Sequence, residues 1–240
     1  MKTIVIIQAR MGSSRLPGKI LKPLDELDVL TYVTSRCKQI RGVSDVIVAT
    51  SLLPQDDAVE KWCTENGVIC FRGSEEDVLG RYVQCAQKYK PDYVMRVTSD
   101  CPFVDYEMAS AIVALMERER VDIVDLVGYL PRGLAVELIS YGALLSIHEK
   151  GQEQRHREHV TYYAYEYREQ FQRVVYDAPV NRLHPEFRIT LDTEEDYALC
   201  QAIATHFNDV LVPSTDVIYY LLEHPEVARL NAHIEQKPVI

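Results

Sequence analysis

Residues 3–19 read TIVIIQARMGSSRLPGK, and the change of character within this stretch decides the fold. The first six, Thr3 to Gln8, are a short, β-branched, nearly all-apolar run, as expected of a strand buried on both faces of a parallel or mixed sheet. A loop follows that carries Gly12, Pro17 and Gly18, the hydroxyls of Ser13 and Ser14, and the cations Arg10, Arg15 and Lys19. In an open α/β sheet, ligands bind where a strand's carboxyl end meets such a loop. Backbone N–H groups at Gly12, Ser13 and Ser14, together with the three cations, suit a polyphosphate. The loop is not a Walker A motif, because Ile20 stands where Ser or Thr would follow the lysine, and it lacks the dinucleotide fingerprint. A merely solvated basic loop is the competing reading.

Downstream, the pattern alternates. Leu30, Val33, Cys37 and Ile40 recur at helical spacing, and residues 45–51 (DVIVATS) read as a second strand, completing a βαβ unit. A helix is predicted near 55–66, stopped by Gly67, then a strand at 68–71. The next helix, near 76–89, has Ser74 and Asp77 at capping-box spacing and Pro91 as its stop. A strand at 92–98, the loop Ser99-Asp100-Cys101-Pro102 and a helix at 106–119 follow. The alternation predicts a three-layer α/β sandwich around a mixed, mostly parallel sheet. Past about 128 the rhythm breaks at Gly128, Pro131 and Gly133. Strands are expected at 134–140, 171–177 and 187–191, and Thr193 with Asp196 caps a helix over 194–207. Residues 1–240 read as one domain, with 128–186 as an insertion or lid.

Composition sets outer limits. The chain has 240 residues, 47% of them hydrophobic, with 26 Lys+Arg against 36 Asp+Glu and a net charge of −10. That acidity argues against general binding of nucleic acid or anionic membranes. No apolar stretch approaches the roughly 18 residues a membrane span needs, and the apolar start is too short for a signal peptide. Six scattered cysteines without a C-x-x-C pair suit reduced thiols in a cytoplasmic protein. The charge is uneven: residues 1–24 hold five cations and no acid, leaving 21 basic against 36 acidic residues, a net of −15, in the remainder.

The loop resembles the opening motif of the CMP-sugar synthetases, the cytidylyltransferases that activate 3-deoxy-manno-octulosonate (KDO) and sialic acids. The KDO pattern I-P-A-R-x-x-S-T-R-L-P-G-K-P-L is matched at Ala9, Arg10, Ser13, Arg15, Leu16, Pro17, Gly18, Lys19 and Leu21; the sialate pattern is shared at Ala9, Arg10, Gly12, Ser13, Pro17 and Lys19. Gln8 replaces a proline common to both. The form Q-A-R-M-G-S-S-R-L-P-G-K is most similar to the subgroup named for spore coat polysaccharide biosynthesis protein F. Further resemblances follow in order: residues 72–81 (RGSEEDVLGR) to the segment that helps hold cytosine and ribose, residues 159–165 (HVTYYAY) to H-x-G-I-Y-x-Y, and residues 192–196 (DTEED) to D-T-P-E-D.

The resemblance implies a fold like that of the nucleotide-diphospho-sugar transferases, which is Rossmann-like. It also implies a reaction in which a sugar acid's anomeric hydroxyl attacks the α-phosphate of CTP and pyrophosphate leaves. Ala9, Arg10, Met11, Gly12, Ser13, Ser14, Arg15, Lys19, Arg72 and Arg81 would then hold the nucleotide, with Arg10 and Lys19 on the β- and γ-phosphates. Asp100 and Asp192 would share a magnesium ion, a hard cation usually held by one or two carboxylates plus substrate phosphates. Arg132, Glu137, Arg157 and His159 are the candidates for the acidic sugar, and residues 128–186 for homodimer contacts. Where the subgroup often has G-x-D-x-E, this chain has Ala135 in place of the acid.

Other readings of the same residues compete. Asp100 and Asp192 have the residue type of helix caps. His156 and His159 lack the Cys or H-E-x-x-H partners of a zinc site and read as solvated helix polarity. Tyr162, Tyr163, Tyr165 and Tyr167 suit core and interface packing better than base stacking. A glycosyltransferase using a preformed nucleotide sugar would want a D-x-D motif, and the Asp100 loop reads S-D-C-P. A nucleotide-binding homologue with weakened turnover is the third alternative, on account of Gln8 and Ala135.

Overall fold

The computed structural model describes residues 1–235; the last five residues of the single unit read from the sequence lie outside the described residues. The first strand, β1 (Thr3–Gln8), is followed by the basic loop and a two-strand ribbon of β2 (Pro23–Leu24) and β3 (Leu27–Asp28). Then come α1 (Val29–Lys38), β4 (Val43–Ser51), α2 (Asp57–Glu65), β5 (Ile69–Gly73), α3 (Val78–Tyr89), β6 (Tyr93–Thr98), α4 (Tyr106–Glu119) and β7 (Ile123–Val127). After them run β8 (Glu137–Ser140), α5 (Tyr141–Lys150), α6 (Gln154–Glu158), α7 (Tyr162–Glu166), β9 (Arg173–Asp177) and α8 (Glu194–Phe207). Two helices that the pattern up to 207 does not foretell close the chain, α9 (Ser214–Glu223) and α10 (Pro225–Ala228).

Seven strands form one sheet in the order β5-β4-β1-β6-β8-β7-β9. All neighbours run parallel except β8, which is antiparallel to both β6 and β7. The chain moves outward from β1 to β4 and β5, then returns to β6 on β1's other side. That reversal opens a crevice at the carboxyl ends of the strands, where the basic loop lies.

The two faces of β1 explain its continuous apolar run. Val5 and Ile7 pack with Leu30, Val33, Val59, Trp62, Ile112 and Met116 from α1, α2 and α4. Ile4 and Ile6 face the other way, onto Leu79, Tyr82, Leu144, Ile147 and Tyr163 from α3, α5 and α7. A third cluster joins Leu16, Val29, Tyr32 and Phe103 to Ile189, Leu191, α8 and α9.

Several boundaries differ from those predicted, and each has a local cause. Residues 187–191 do not form a strand; Ile189 donates to Arg132 and Leu191 to Asp100, so the segment pairs with two loops and makes only an isolated bridge. Gly133 permits this close passage: its φ is +98°, and a Cβ there would lie 2.6 Å from the Ile189 carbonyl oxygen. The strand expected at 134–140 starts only at Glu137, because the Leu134 carbonyl turns to accept from Asp105 N–H. The helix after the Asp100 loop is capped by Asp105, whose carboxylate accepts from Met108 N–H, so Asp100 is released from a capping role. Thr193 and Asp196 form a full capping box on α8. His156 is buried and bonded to Glu166, in contrast to the solvated polarity expected of it.

Arg36, on α1, ties the segment between α8 and α9 to the loop before α4. It is fully buried, donating Nε to Val104 O (2.9 Å) and Nη1 to Val210 O (3.1 Å) and Val212 O (2.7 Å). Arg36→Met leaves three carbonyls without their donor and should lower the unfolding free energy by about 2–4 kcal/mol in a urea titration.

Candidate active site

The basic loop is anchored from below. Asp56, fully buried, accepts from Met11 N–H at 2.7 Å and from Ser51 N–H at 3.3 Å, and also bonds the Ser51 hydroxyl. Leu16 and Ile20 are buried and fix the far end. Between them Gly18, at φ +69°, turns the chain into a single 3₁₀ turn over Lys19–Leu21, and the Lys19 side chain enters the molecule.

Lys19 is the centre of the site. Its ammonium donates to Asp192 Oδ1 at 2.8 Å, Asp100 Oδ2 at 3.1 Å and the Leu191 carbonyl at 2.7 Å. Asp100 hangs from the loop after β6 and Asp192 from the turn into α8. Arg15 reaches Asp192 Oδ1 at 3.3 Å, and Arg188 reaches its Oδ2 at 2.8 Å. Arg188 also donates Nε to the fully buried Asp196 at 2.9 Å, and Asp196 in turn accepts the Asp192 and Thr193 N–H groups. The capping box of α8 therefore fixes where Asp192 points.

Burial opposes the charge on both Lys19 and Asp100, and their mutual attraction outweighs it. Attraction to Asp100 and Asp192 lifts Lys19 above its ordinary 10.5, while Lys19 and a hydrogen bond from Thr98 bring Asp100 below 3.8. Two carboxylates meeting one cation, with only oxygen donors, fit magnesium, which completes its shell with substrate phosphates and water. Among the described residues no group of three or more His, Cys, Asp and Glu could cage a metal alone.

Arg10 lies at the loop's other edge, its Nη1 3.0 Å from Glu75 Oε1. Arg81 lies fully buried behind it, bonded through Nη1 to the Ser74 carbonyl, with Nε and Nη2 lacking partners. Gly12 is covered by Gln55, whose Nε2 would be 2.9 Å from an added Cβ, and Glu75 is the next neighbour. Ala9 continues β1's pairing by donating to Ala49 O at 3.1 Å, and Ser13 accepts from Leu16 N–H at 3.3 Å. Ser14 is exposed.

Known proteins resemble this chain in sequence and in fold. The sequence pattern of the family described as cytidylyltransferase matches residues 4–226. The chain belongs to the cytidylyltransferase family. It is 32% identical to the spore coat polysaccharide biosynthesis protein SpsF of Bacillus subtilis, over 94% of this chain and 96% of that one. An uncharacterized protein of Methanocaldococcus jannaschii is 34% identical over 99% of this chain and 97% of its own. A cytidylyltransferase structure from Leptospira borgpetersenii superposes with a TM-score of 0.89, at 30% identity and covering 99% of both chains. The CMP-2-keto-3-deoxy-manno-octonic acid synthetase complexed with CTP shares the fold, with a TM-score of 0.66 over 86% of this chain and 99% of that one, at 17% identity.

Not every residue matched in sequence comes to the Lys19 centre. Arg72 spends its donors on Ser51 O (2.8 Å), Leu53 O (3.1 Å), Asp57 and Glu60 (2.7 Å each), bracing the corner between β4 and α2. The four sugar candidates divide. Arg132 lies beside Arg188 and Asp192. Glu137 and His159 gather around Arg96, on the side of the sheet facing α3. Arg157 reaches Asp77 at the start of α3, at 3.6 Å. Arg188 and Arg96 were missed in the sequence; the available signal was a charged residue inside an otherwise apolar, buried run.

The shifts of Lys19 and Asp100 predict a pH signature. Asp100, lowered on folding, stabilises fully above the unfolded value near 3.8 and loses that contribution as pH falls through its folded value. Lys19, raised, contributes fully below 10.5 and loses its share only as pH rises through its own folded value. The stability gap between wild type and Lys19→Met should be widest near neutrality and narrow as acid passes pH 3.8. Urea unfolding across that range checks it, and a gap of equal size at both ends contradicts the coupling.

Proposed function

We propose that this cytidylyltransferase transfers CMP from CTP to an acidic sugar, a nonulosonic or KDO-like acid, releasing pyrophosphate for the synthesis of a surface or spore coat polysaccharide. The observation that carries the reading is the ammonium of Lys19 held between Asp100 and Asp192 at the end of the basic loop. The full-length likeness to SpsF supports the polysaccharide context. A partial likeness to a 3-deoxy-manno-octulosonate cytidylyltransferase of Anaeromyxobacter, 33% identical over 47% of this chain, supports the class of acceptor.

In this reading Asp100 and Asp192 hold a magnesium ion, and Lys19 moves its charge onto the incoming phosphates. The ion, when bound, polarises the α-phosphate and eases deprotonation of the attacking hydroxyl. Arg10, Arg15 and Lys19 neutralise the β- and γ-phosphates, where charge grows as pyrophosphate departs, so they act on rate as well as binding. Arg81 and the Gly12–Ser14 backbone line the nucleotide's side of the loop. Reduced thiols at all six cysteines and a triphosphate substrate support a cytoplasmic setting. Exposed Val127, Tyr129, Val175 and Val180 beside the β7–β9 edge support a homodimer. Among the described residues no helix is long and apolar enough to cross a membrane.

A pyrophosphate-release assay with CTP, magnesium and a panel of KDO, sialic, legionaminic and pseudaminic acids tests the reading. Release is expected with CTP and at least one acid, and none with CTP alone. Lys19→Ala and Asp100→Ala should each lower turnover by about 100-fold or more with circular dichroism unchanged. Near wild-type rates in either variant would remove the assignment.

A further inference from the structure

An acidic acceptor brings a carboxylate that the basic loop is poorly placed to take, since its cations are already engaged with acids and face the triphosphate. A different cationic group is built into the sheet itself. On the side facing α3, β1 and β6 are in register, pairing Ile4 with Val94 and Ile6 with Arg96. Ile4, Ile6 and Val94 belong to the apolar core there, so Arg96 puts a guanidinium where hydrocarbon would otherwise continue. Such a charge is costly unless it is paired.

Its partner is Glu137, directly opposite on β8, which accepts from Arg96 Nη1 at 2.5 Å. The other Glu137 oxygen accepts from Thr161 Oγ1 at 2.7 Å, and the Tyr165 hydroxyl also bonds this carboxylate. Glu137 is thus fully occupied in pinning Arg96. The arginine is not: its Nε is buried without a partner, and its side chain is 17% exposed. Next along the same face of β1, Gln8 presents a buried Oε1 that also lacks a partner. Arg81, 0% exposed, contributes two further buried nitrogens without partners. Both arginines and Glu137 act on the buried Tyr82 between them, and His159 completes the wall by Arg96 and Glu137. Folded proteins rarely leave so many polar atoms unsatisfied in one place.

We propose that Arg96, held by Glu137, is the residue that binds the acceptor's carboxylate, with the Gln8 amide beside it taking a sugar hydroxyl. The proposal rests on the acidic-sugar reading above. A planar fork with a free edge is the arrangement that receives a carboxylate bidentately. Asp100 is among the charges that act on Arg96, so the fork lies near the reacting end of the site. In a 2-keto sugar acid the carboxylate and the anomeric hydroxyl share one carbon. Seating the first on Arg96 presents the second toward Asp100 and Asp192. Glu137, a sugar candidate in the sequence, becomes a positioning residue that acts through Arg96.

Arg96→Lys keeps a cation for Glu137 and removes the fork, which protects the fold. Calorimetric titration with KDO and with N-acetylneuraminate, without nucleotide, should show at least one acid binding wild type and binding Arg96→Lys 10-fold or more weakly. The carboxamide of that acid should bind both proteins equally and weakly. The thermal shift given by CTP with magnesium should be the same in both. Equal affinity of the acid for wild type and variant overturns the proposal and leaves the spare donors to water, as does a wild type that binds neither acid. Loss of the CTP shift in wild type would instead strike the nucleotide reading, whatever the acids do.

Discussion

One ammonium group between two carboxylates organises the crevice. Lys19 comes from the loop after β1, Asp100 from the loop after β6 and Asp192 from the turn into α8, so three distant parts of the chain meet at a single charge. Each carboxylate is costly to desolvate alone, and so is the lysine. Together they offset one another, so two acids and a lysine can meet in one crevice. The supports behind them are equally specific: Asp56 holds the loop, and Asp196 with Arg188 orients Asp192.

The resting site is already internally neutralised. Arg10 is paired with Glu75, Arg15 with Asp192, and Lys19 with both aspartates. Under the proposed function, binding a metal–triphosphate would be an exchange of partners rather than the filling of an empty basic pocket. The attraction available to the ligand is the difference between its contacts and those already made. In that reading an anion without its metal would meet Asp100, Asp192 and Glu75 as well as the cations they pair.

Much of the fold was legible because its signals are local. The helices at 106–119 and 194–207 fall on their predicted bounds, the second fixed by the Thr193–Asp196 capping box. The failures are tertiary. Residues 187–191 have strand composition, but their partners are the loops at Arg132 and Asp100, which periodicity does not reveal. Asp100 has the residue type of a helix cap, but the structure gives the cap of α4 to Asp105. In the site, the loop residues and both aspartates stood out through resemblance. Arg72 matched as well, yet its donors are consumed at the β4–α2 corner. Arg96 and Arg188 escaped notice because the meaning of a buried arginine lies in the acids opposite it, on strands and turns far along the chain.

The single reversed strand, β8, has a consequence for how the molecule is made. When residues up to Thr98 have left the ribosome, β5, β4, β1 and β6 can already associate, and β6 then presents a bare row of N–H and C=O groups. That flank stays open until Glu137–Ser140 emerges some forty residues later and zips against it. Nascent chains stalled in this interval carry the sticky edge that invites pairing with a neighbour. Arg96 lies on that edge strand, and a charged side chain on an exposed edge disfavours pairing with another chain.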